Sequence, residues 1–207
     1  MSDDDPPERP SLDAVTEWDG GITWFAHPEE DAMRASHALA TESGVWVVDP
    51  LDADGLDDRL RDLGEVAGVV VIHDRHTRDA EVIAARHDVA VHVPEWMELT
   101  REKLQGEPEP LGDELPGTNY ESHRLVHTEE WEEAVLVDDA DGTLVVMETL
   151  GTLPPFREGD DDVGVHGGLD ETPDGLADYD PERILVGHGE SIYEDGARKL
   201  AAALDGD

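Results

Sequence analysis

Short apolar runs separated by polar segments rich in Gly, Pro and Asp recur along most of the chain. Runs of this length bounded by turn residues predict β-strands, and they read GITWFAH, GVWVVDP, VAGVVVIHD, VAVHVP and RILVGHG. The runs EAVLV and TLVVM flank Asp141 and Gly142, a pair that predicts a hairpin turn. The segment EEDAMRASHALATES fits a helix and a strand equally well, so its structure stays open.

Three segments show a helical pattern instead. Leucines share one face over residues 54–64, a second helix is predicted over about 78–86 with Val82 and Ile83 facing inward, and an Ala-rich helix over about 194–204 closes the chain. The second helix lies between two strand-like runs, which predicts a parallel βαβ unit. Loops after such strands converge at one edge of the sheet, where ligands usually bind.

A chain of 207 residues fits one domain with a real core. We expect an acidic, disordered tail over residues 1–11 and a single domain over residues 12–207. The segments 106–120 and 154–179, rich in Gly, Pro and acidic residues, are predicted loops.

Charge narrows the possible partners. Lys and Arg number 14 against 53 Asp and Glu, which gives a formal net charge of -39 spread along the chain. A composition this acidic could also indicate a disordered protein, but long runs of Val, Ile and Leu argue against disorder. We therefore predict a folded protein adapted to a salt-rich cytoplasm, which needs high salt to screen its self-repulsion. Nucleic acids and anionic membranes are excluded as partners, because their binding depends on Lys and Arg contacts.

Cysteine is absent, so disulfides and thiolate chemistry are excluded. No apolar run reaches the roughly 20 residues of a membrane span, and the start MSDDDPPERP lacks the pattern of a signal peptide. We expect a cytoplasmic protein.

Candidate chemistry lies where predicted strands end. Asp74, His76, Arg78 and Asp79 follow one strand, Glu148 follows TLVVM, and His188 stands between two glycines after RILV. Imidazole nitrogens and carboxylate oxygens are ligands for zinc. Each motif alone has an ordinary alternative, namely a solvated, ion-paired turn or a tight glycine turn. The other histidines lack paired ligand spacing, and we expect structural or solvated roles for His27, His37, His87, His92, His123 and His166.

The order and spacing of these motifs resemble the metallo-beta-lactamase fold superfamily along nearly the whole chain after the tail. DRHTRD stands where that family has His-x-His-x-Asp-His, TLVVMETL resembles the strand that supplies a metal-bridging carboxylate, GVWVVDP resembles the strand that ends in Asp before the first helix, and ILVGHGESI resembles the late Gly-His-Gly motif. The resemblance implies an αββα sandwich of two mixed sheets flanked by helices, and a hydrolase-like metal site.

Matched residue by residue, the resemblance implies a degenerate site. Asp74 takes the first His position, His76 keeps the second, and Asp79 replaces the third His. Glu148 stands for the bridging Asp and His188 is retained, while Trp131 takes the place of a further His, where it would fill part of the pocket. The remaining candidate metal ligands are therefore Asp74, His76, Asp79, Glu148 and His188, and a slightly shifted register would add His73 or His127.

Arg78 replaces the Asp of the same motif and cannot ligate a metal, because its guanidinium has no lone pair to give. We expect Arg78 to pair with Asp74, Asp79 or Glu148 and so to replace the charge of a metal ion. The resemblance then implies a divergent hydrolase-like protein whose metal centre is lost, or reduced to one zinc, iron or manganese ion, with a small-molecule ligand that the sequence does not identify. The alternative is a non-catalytic binding or interaction protein that uses the fold as a scaffold.

Overall fold

The computed structural model describes residues 9–157 and 161–205, which form two β-sheets packed face to face. The first sheet contains, in spatial and chain order, β1 Ala14–Trp18, β2 Gly21–Phe25, β3 Ala35–Thr41, β4 Gly44–Val48, β5 Val66–Val70, β6 Val91–Pro94 and β7 Glu109–Leu111. The second contains, in spatial order, β13 Arg183–Val186, β10 Thr143–Val146, β9 Glu132–Asp138 and β8 Glu121–His127. A short ribbon pairs β11 Leu150–Gly151 with β12 Gly164–Val165.

Both large sheets are mixed. Strands β1 to β4 are antiparallel, and β4 to β7 are parallel. In the second sheet β13 runs parallel to β10, whereas β10, β9 and β8 are antiparallel. The helices are α1 Leu56–Leu63, α2 Ala80–His87, α3 Glu98–Lys103 and α4 Gly196–Asp205.

Side chains that point alternately to the two faces of each buried strand connect the sheets and helices into layers. Val45 and Val47 pack with α1, α2 and the residues that flank α3, Met97 and Leu104, on the outer face of the first sheet. Trp46 and Val48 point the other way and meet Leu136 of the second sheet, because successive strand residues face opposite sides. The outer face of the second sheet packs against α4. The order is therefore helices, sheet, sheet, helix, and the predicted αββα sandwich of mixed sheets is confirmed.

Several local predictions are confirmed as well. Helix α2 links the parallel strands β5 and β6, as the βαβ pattern requires. Strands β9 and β10 form the hairpin around Gly142, whose φ of 65° suits glycine. The ambiguous segment forms β3, which is buried between β2 and β4.

Other predictions need correction. Ile83 is buried, but Val82 is 52% exposed and does not face inward, because α2 turns only its Ala80, Ile83 and Ala84 side to the sheet. The predicted loop 106–120 includes the edge strand β7, and 154–179 includes β12 and a 3-10 turn at Asp174–Asp178.

The ends of the chain bear on two further expectations. Of the predicted tail, residues 1–8 lie outside the described residues, while Arg9 forms an ion pair with Asp54 at 2.7 Å. Among the described residues, no helix is long and apolar enough to cross a membrane.

Candidate functional site

The candidate site lies where the two sheets meet at the carboxyl ends of their parallel strands. The loop after β5 supplies His73 and His76, the residue after β4 is Asp49, and the segments after β10 and β13 supply Glu148 and His188. Residues far apart in sequence therefore converge because their strands end at one edge.

Glu148 is the centre of this cluster. One of its oxygens, Oε2, lies 3.1 Å from His76 Nε2 and 2.9 Å from His188 Nε2. Burial by itself raises the pKa of Glu148, but the hydrogen bonds and charges of His188 and His76 outweigh it and hold that pKa well below its ordinary value. The group is therefore an ionised carboxylate between two imidazoles.

The far side of each imidazole is also held by an acceptor. His76 Nδ1 donates to Asp49 Oδ2 at 3.0 Å, and His188 Nδ1 donates to the carbonyl oxygen of Ala32 at 2.8 Å. A neutral imidazole carries one N–H, so with Nδ1 donating, its Nε2 has a lone pair. Both lone pairs then face a carboxylate, and this arrangement requires either a second proton on each ring or a cation between them.

Asp49 is itself fixed in place. It is fully buried, its Oδ1 accepts the N–H of Ile72 at 2.9 Å, and its φ is 42°. The sequence showed only that an Asp follows β4, and its partnership with His76 was not predicted.

His73 is the third imidazole of the cluster. One ligand atom each from His73, His76 and Glu148 lie within 4.8 Å of one another, a spacing that suits a metal ion. Burial lowers the pKa of His73 to about 2, with the charge of His76 adding to the effect. However, His73 Nδ1 accepts the N–H of Arg75 at 3.2 Å, so in the neutral ring Nε2 carries the proton. His73 is therefore less ready to ligate than His76 or His188.

Two of the predicted ligands, Asp74 and Asp79, are not among the residues whose ligand atoms lie within 4.8 Å of one another. The Asp74 carboxylate lies beside His73, with 3.5 Å between Asp74 Oδ1 and His73 Nε2. Burial raises the pKa of Asp74. Asp79 precedes α2 and accepts the N–H of Asp52 at 2.8 Å. Of the five predicted ligands, His76, Glu148 and His188 are in direct contact, and His73 comes in through the alternative register.

Arg78 does not form the expected carboxylate pair. Its Nη1 donates to the carbonyl oxygens of Ala35 at 2.6 Å and Asp49 at 2.8 Å, and within the described residues its buried Nε and Nη2 have no hydrogen-bond partner. Burial lowers its pKa to about 10, and the charges of Asp49 and Glu148 oppose the shift. The loop takes a φ of 40° at Arg78, which turns the side chain toward β3 and β4.

Trp131 closes one side of the cluster. Its ring centroid lies 5.4 Å from that of His73 and 4.9 Å from that of His166, and its Nε1 donates to Glu133 Oε2 at 3.3 Å. Trp131 is 6% exposed, so its ring is buried beside His73.

Glu133 orients the segment that carries Glu148. Its carboxylate accepts the N–H groups of Met147, Glu148 and Thr149, each at 2.8 Å. Burial raises the pKa of Glu133 to about 7, although hydrogen bonds from Thr149, Glu148 and Trp131 oppose the shift. This role was not predicted, because the two acidic residues in EWEEAVLV resemble a solvated pair.

The imidazoles of the cluster and the Glu148 carboxylate form a donor set that suits a borderline metal ion. Metal-bound histidines usually donate the other ring N–H to a carboxylate or backbone carbonyl, and His76 and His188 both do so. Two imidazole nitrogens and one carboxylate oxygen suit zinc, and also iron or manganese.

Comparison with known proteins supports the fold. The sequence matches no model of a protein family and no curated protein. Among solved structures, DIM-1 metallo-beta-lactamase exposed to ceftazidime is similar, with a TM-score of 0.68, 15% identity, and 96% of this chain and 97% of that chain covered. A metallo-beta-lactamase from Hirschia baltica is similar with a TM-score of 0.65 and 10% identity, and the match covers 94% of this chain and 97% of that chain. A flavo di-iron protein from Thermotoga maritima is similar with a TM-score of 0.65 and 13% identity, and the match covers 94% of this chain and 62% of that chain.

These similarities confirm the predicted resemblance to the metallo-beta-lactamase fold. Identities this low do not establish a shared activity, because one fold carries many chemistries.

Proposed function

We propose that the protein is a divergent hydrolase of the metallo-beta-lactamase fold whose metal centre is reduced to one ion. His76 Nε2, His188 Nε2 and Glu148 would hold that ion, with His73 close by. The observation that carries the proposal is the pair of imidazoles whose Nδ1 atoms are fixed by acceptors and whose Nε2 atoms face one carboxylate.

The residues of the chain have separate tasks in this proposal. Asp49 and the Ala32 carbonyl hold the two rings in the tautomer that offers Nε2. Glu133 fixes the backbone of Glu148, and Trp131 limits water on one side. When bound, a zinc-like ion supplies a Lewis acid that polarises a carbonyl and lowers the pKa of water.

A second ion has fewer ligands in this chain. Arg78 stands where the resemblance places an Asp and contributes a positive charge, while Asp79 binds the backbone of Asp52. The charge of Arg78 acts on Glu148 through space, without a direct contact. One ion, and not a pair, is the stoichiometry that we propose.

The alternative function is a non-catalytic scaffold that binds a ligand or partner. It is favoured by the burial of Trp131 and the partial burial of Arg78 at positions where the resemblance implies metal ligands. A scaffold would keep the cluster as two imidazoliums paired with Glu148.

Metal content separates these functions. We would purify the protein in molar salt without chelator, add zinc, iron or manganese, remove excess ion, and measure bound metal by mass spectrometry. We expect one ion per chain in the parent, and a loss in His76→Ala and His188→Ala. His123→Ala is the matched control, because His123 is half exposed on β8 and pairs with Glu121 at 3.2 Å.

Metal retained by both site variants, or absent from the folded parent, would contradict the proposed centre. A loaded parent would then be screened against thioesters, lactones and phosphoesters, and metal-dependent turnover would identify the hydrolase.

A further inference from the structure

A groove of about 1000 Å³ runs up to the cluster. One wall is the end of β8 and the turn that leads to β9, residues 125–131, and the other is His166 with residues 168–174. Trp131 and His166 lie at its inner end, and His166 Nε2 is 3.8 Å from Glu148 Oε1. The groove is therefore adjacent to the candidate site, because Trp131 and His166 line the groove and also lie next to His73 and Glu148.

The backbone holds His166 in this position. Its N–H donates to the carbonyl oxygen of Thr149 at 2.9 Å, and the strands β11 and β12 pair just before it. Gly164 is required here, because a Cβ would lie 2.0 Å from the carbonyl oxygen of Phe156. His166 thus follows the same short ribbon that begins two residues after Glu148.

The ring of His166 is fixed as well. Its centroid lies 4.9 Å from that of Trp131 and 5.0 Å from that of Phe156, with edge-on geometry in both cases. His166 Nδ1 accepts the N–H of Gly168 at 3.0 Å, so the neutral ring carries its proton on Nε2. The Nε2 to Glu148 separation exceeds hydrogen-bond length, which leaves this N–H available to a ligand at the inner end of the groove.

We propose that His166 is a substrate-contacting residue, whose Nε2–H donates a hydrogen bond to the carbonyl oxygen of an uncharged ester, thioester or lactone lying in the groove. This inference rests on the proposed function. A fixed donor beside the reacting carbonyl stabilises the negative charge that develops on its oxygen.

The charges of the groove oppose an anionic substrate. Its carboxylates are Glu129, Glu130, Asp170, Glu171 and Asp174. The guanidinium in its lining, that of Arg75, lies over the Trp131 ring at 5.4 Å and donates to the carbonyl oxygen of Glu130. Phosphate recognition uses several cationic donors, whereas among the described residues of this lining Arg75 is the one Lys or Arg.

Two substitutions separate the donor from the ring. His166→Phe keeps an aromatic ring between Trp131 and Phe156 but removes the N–H, and His166→Gln restores an N–H near the position of Nε2. His123→Gln is the surface control. We would measure kcat and KM for p-nitrophenyl butyrate with zinc-loaded protein in molar salt, and zinc content for every variant. Binding of the slowly cleaved amide p-nitrobutyranilide would be measured by equilibrium dialysis.

We expect His166→Phe to lower kcat by about 100-fold and to weaken amide binding roughly fivefold. Zinc content should stay unchanged, and His166→Gln should recover most of both losses. The role of His166 would be overturned if His166→Phe had the same kcat and the same amide affinity as the parent. It would also be overturned if His166→Phe and His166→Gln lost kcat and affinity equally, or if the parent did not bind the amide. If the loaded parent does not hydrolyse the ester, the hydrolase proposal fails for this substrate class, and the binding series alone decides whether His166 contacts the ligand.

Discussion

Replacing Asp49 with asparagine changes the acceptor beside His76 into a donor while it keeps the shape of the side chain. The remaining amide oxygen can still accept the N–H of Ile72, and the φ of 42° at this position is one that asparagine tolerates. The new NH2 faces His76 Nδ1, so that this nitrogen must accept and the proton moves to Nε2. His76 then donates to Glu148 and no longer offers a lone pair to a metal ion.

The expected magnitude follows from this change of tautomer. Loss of a carboxylate behind a metal-bound histidine typically weakens metal affinity by about 10- to 100-fold, or roughly 1.4–2.7 kcal/mol. The metal-free protein should respond differently. In Asp49→Asn a neutral His76 has a suitable partner on both sides, and we expect the free energy of unfolding without metal to fall by less than about 1 kcal/mol.

Zinc affinity would be measured by competition with a chromophoric chelator in molar salt, and metal-free stability by urea melts. Asp79→Asn is the matched control, because it makes the same change in the adjacent loop, where the side chain accepts the N–H of Asp52. We expect it to alter zinc affinity by less than about threefold. Equal zinc affinities in the parent and Asp49→Asn would refute the assignment of His76 Nε2 as a ligand.

Two other predictions concern stability. Arg78→Ala removes the guanidinium donor of the Ala35 carbonyl oxygen, whereas the Asp49 carbonyl oxygen keeps the Ser36 hydroxyl at 3.1 Å, and the change should cost about 1–3 kcal/mol in urea melts at high salt, with a smaller loss in Arg78→Lys; melts that overlay the parent would show that Arg78 is dispensable. Burial lowers the pKa of His37 from 6.5 to about 3, so the unfolded chain binds the extra proton between these values and stability falls as pH drops below 6.5. At pH 5 the His37 contribution to this loss is about 2 kcal/mol relative to neutral pH, so the loss should be smaller by that amount in His37→Gln, where buried His73 still contributes, than in the parent; an equal pH dependence would contradict it.

Strand and helix patterns predicted much of the architecture, because burial on both sheet faces leaves long apolar runs. The βαβ unit, the β9–β10 hairpin and the closing helix all carry local signals of apolar period and turn residues. Strand β3 lacked such a signal, since ASHALAT fits either period and only its neighbours β2 and β4 determine its structure.

The candidate site was predictable at the level of strand ends and not at the level of single contacts. His76, Glu148 and His188 could be expected together, because each follows a strand whose carboxyl end reaches the same edge. The sequence predicted Asp74 as a ligand, but His73 lies in the cluster in its place. Two backbone contacts position His73, namely the turn in which the His76 N–H donates to the carbonyl oxygen of His73, and the β-bridge between His73 and Glu133. Such contacts across the sandwich leave no local pattern in the sequence.

Arg78 forms hydrogen bonds with backbone carbonyls and not the ion pairs that its neighbours in the sequence suggested. The sequence placed its charge among carboxylates, which suggested direct ion pairs, but the positive φ carries the guanidinium to backbone carbonyls of β3 and the end of β4. Its charge still acts on Asp49 and Glu148 from there, without occupying the space between the imidazoles. On the proposed function, Arg78 therefore supplies part of the positive charge that a second ion would bring, while the lone pairs of His76 and His188 remain free for one.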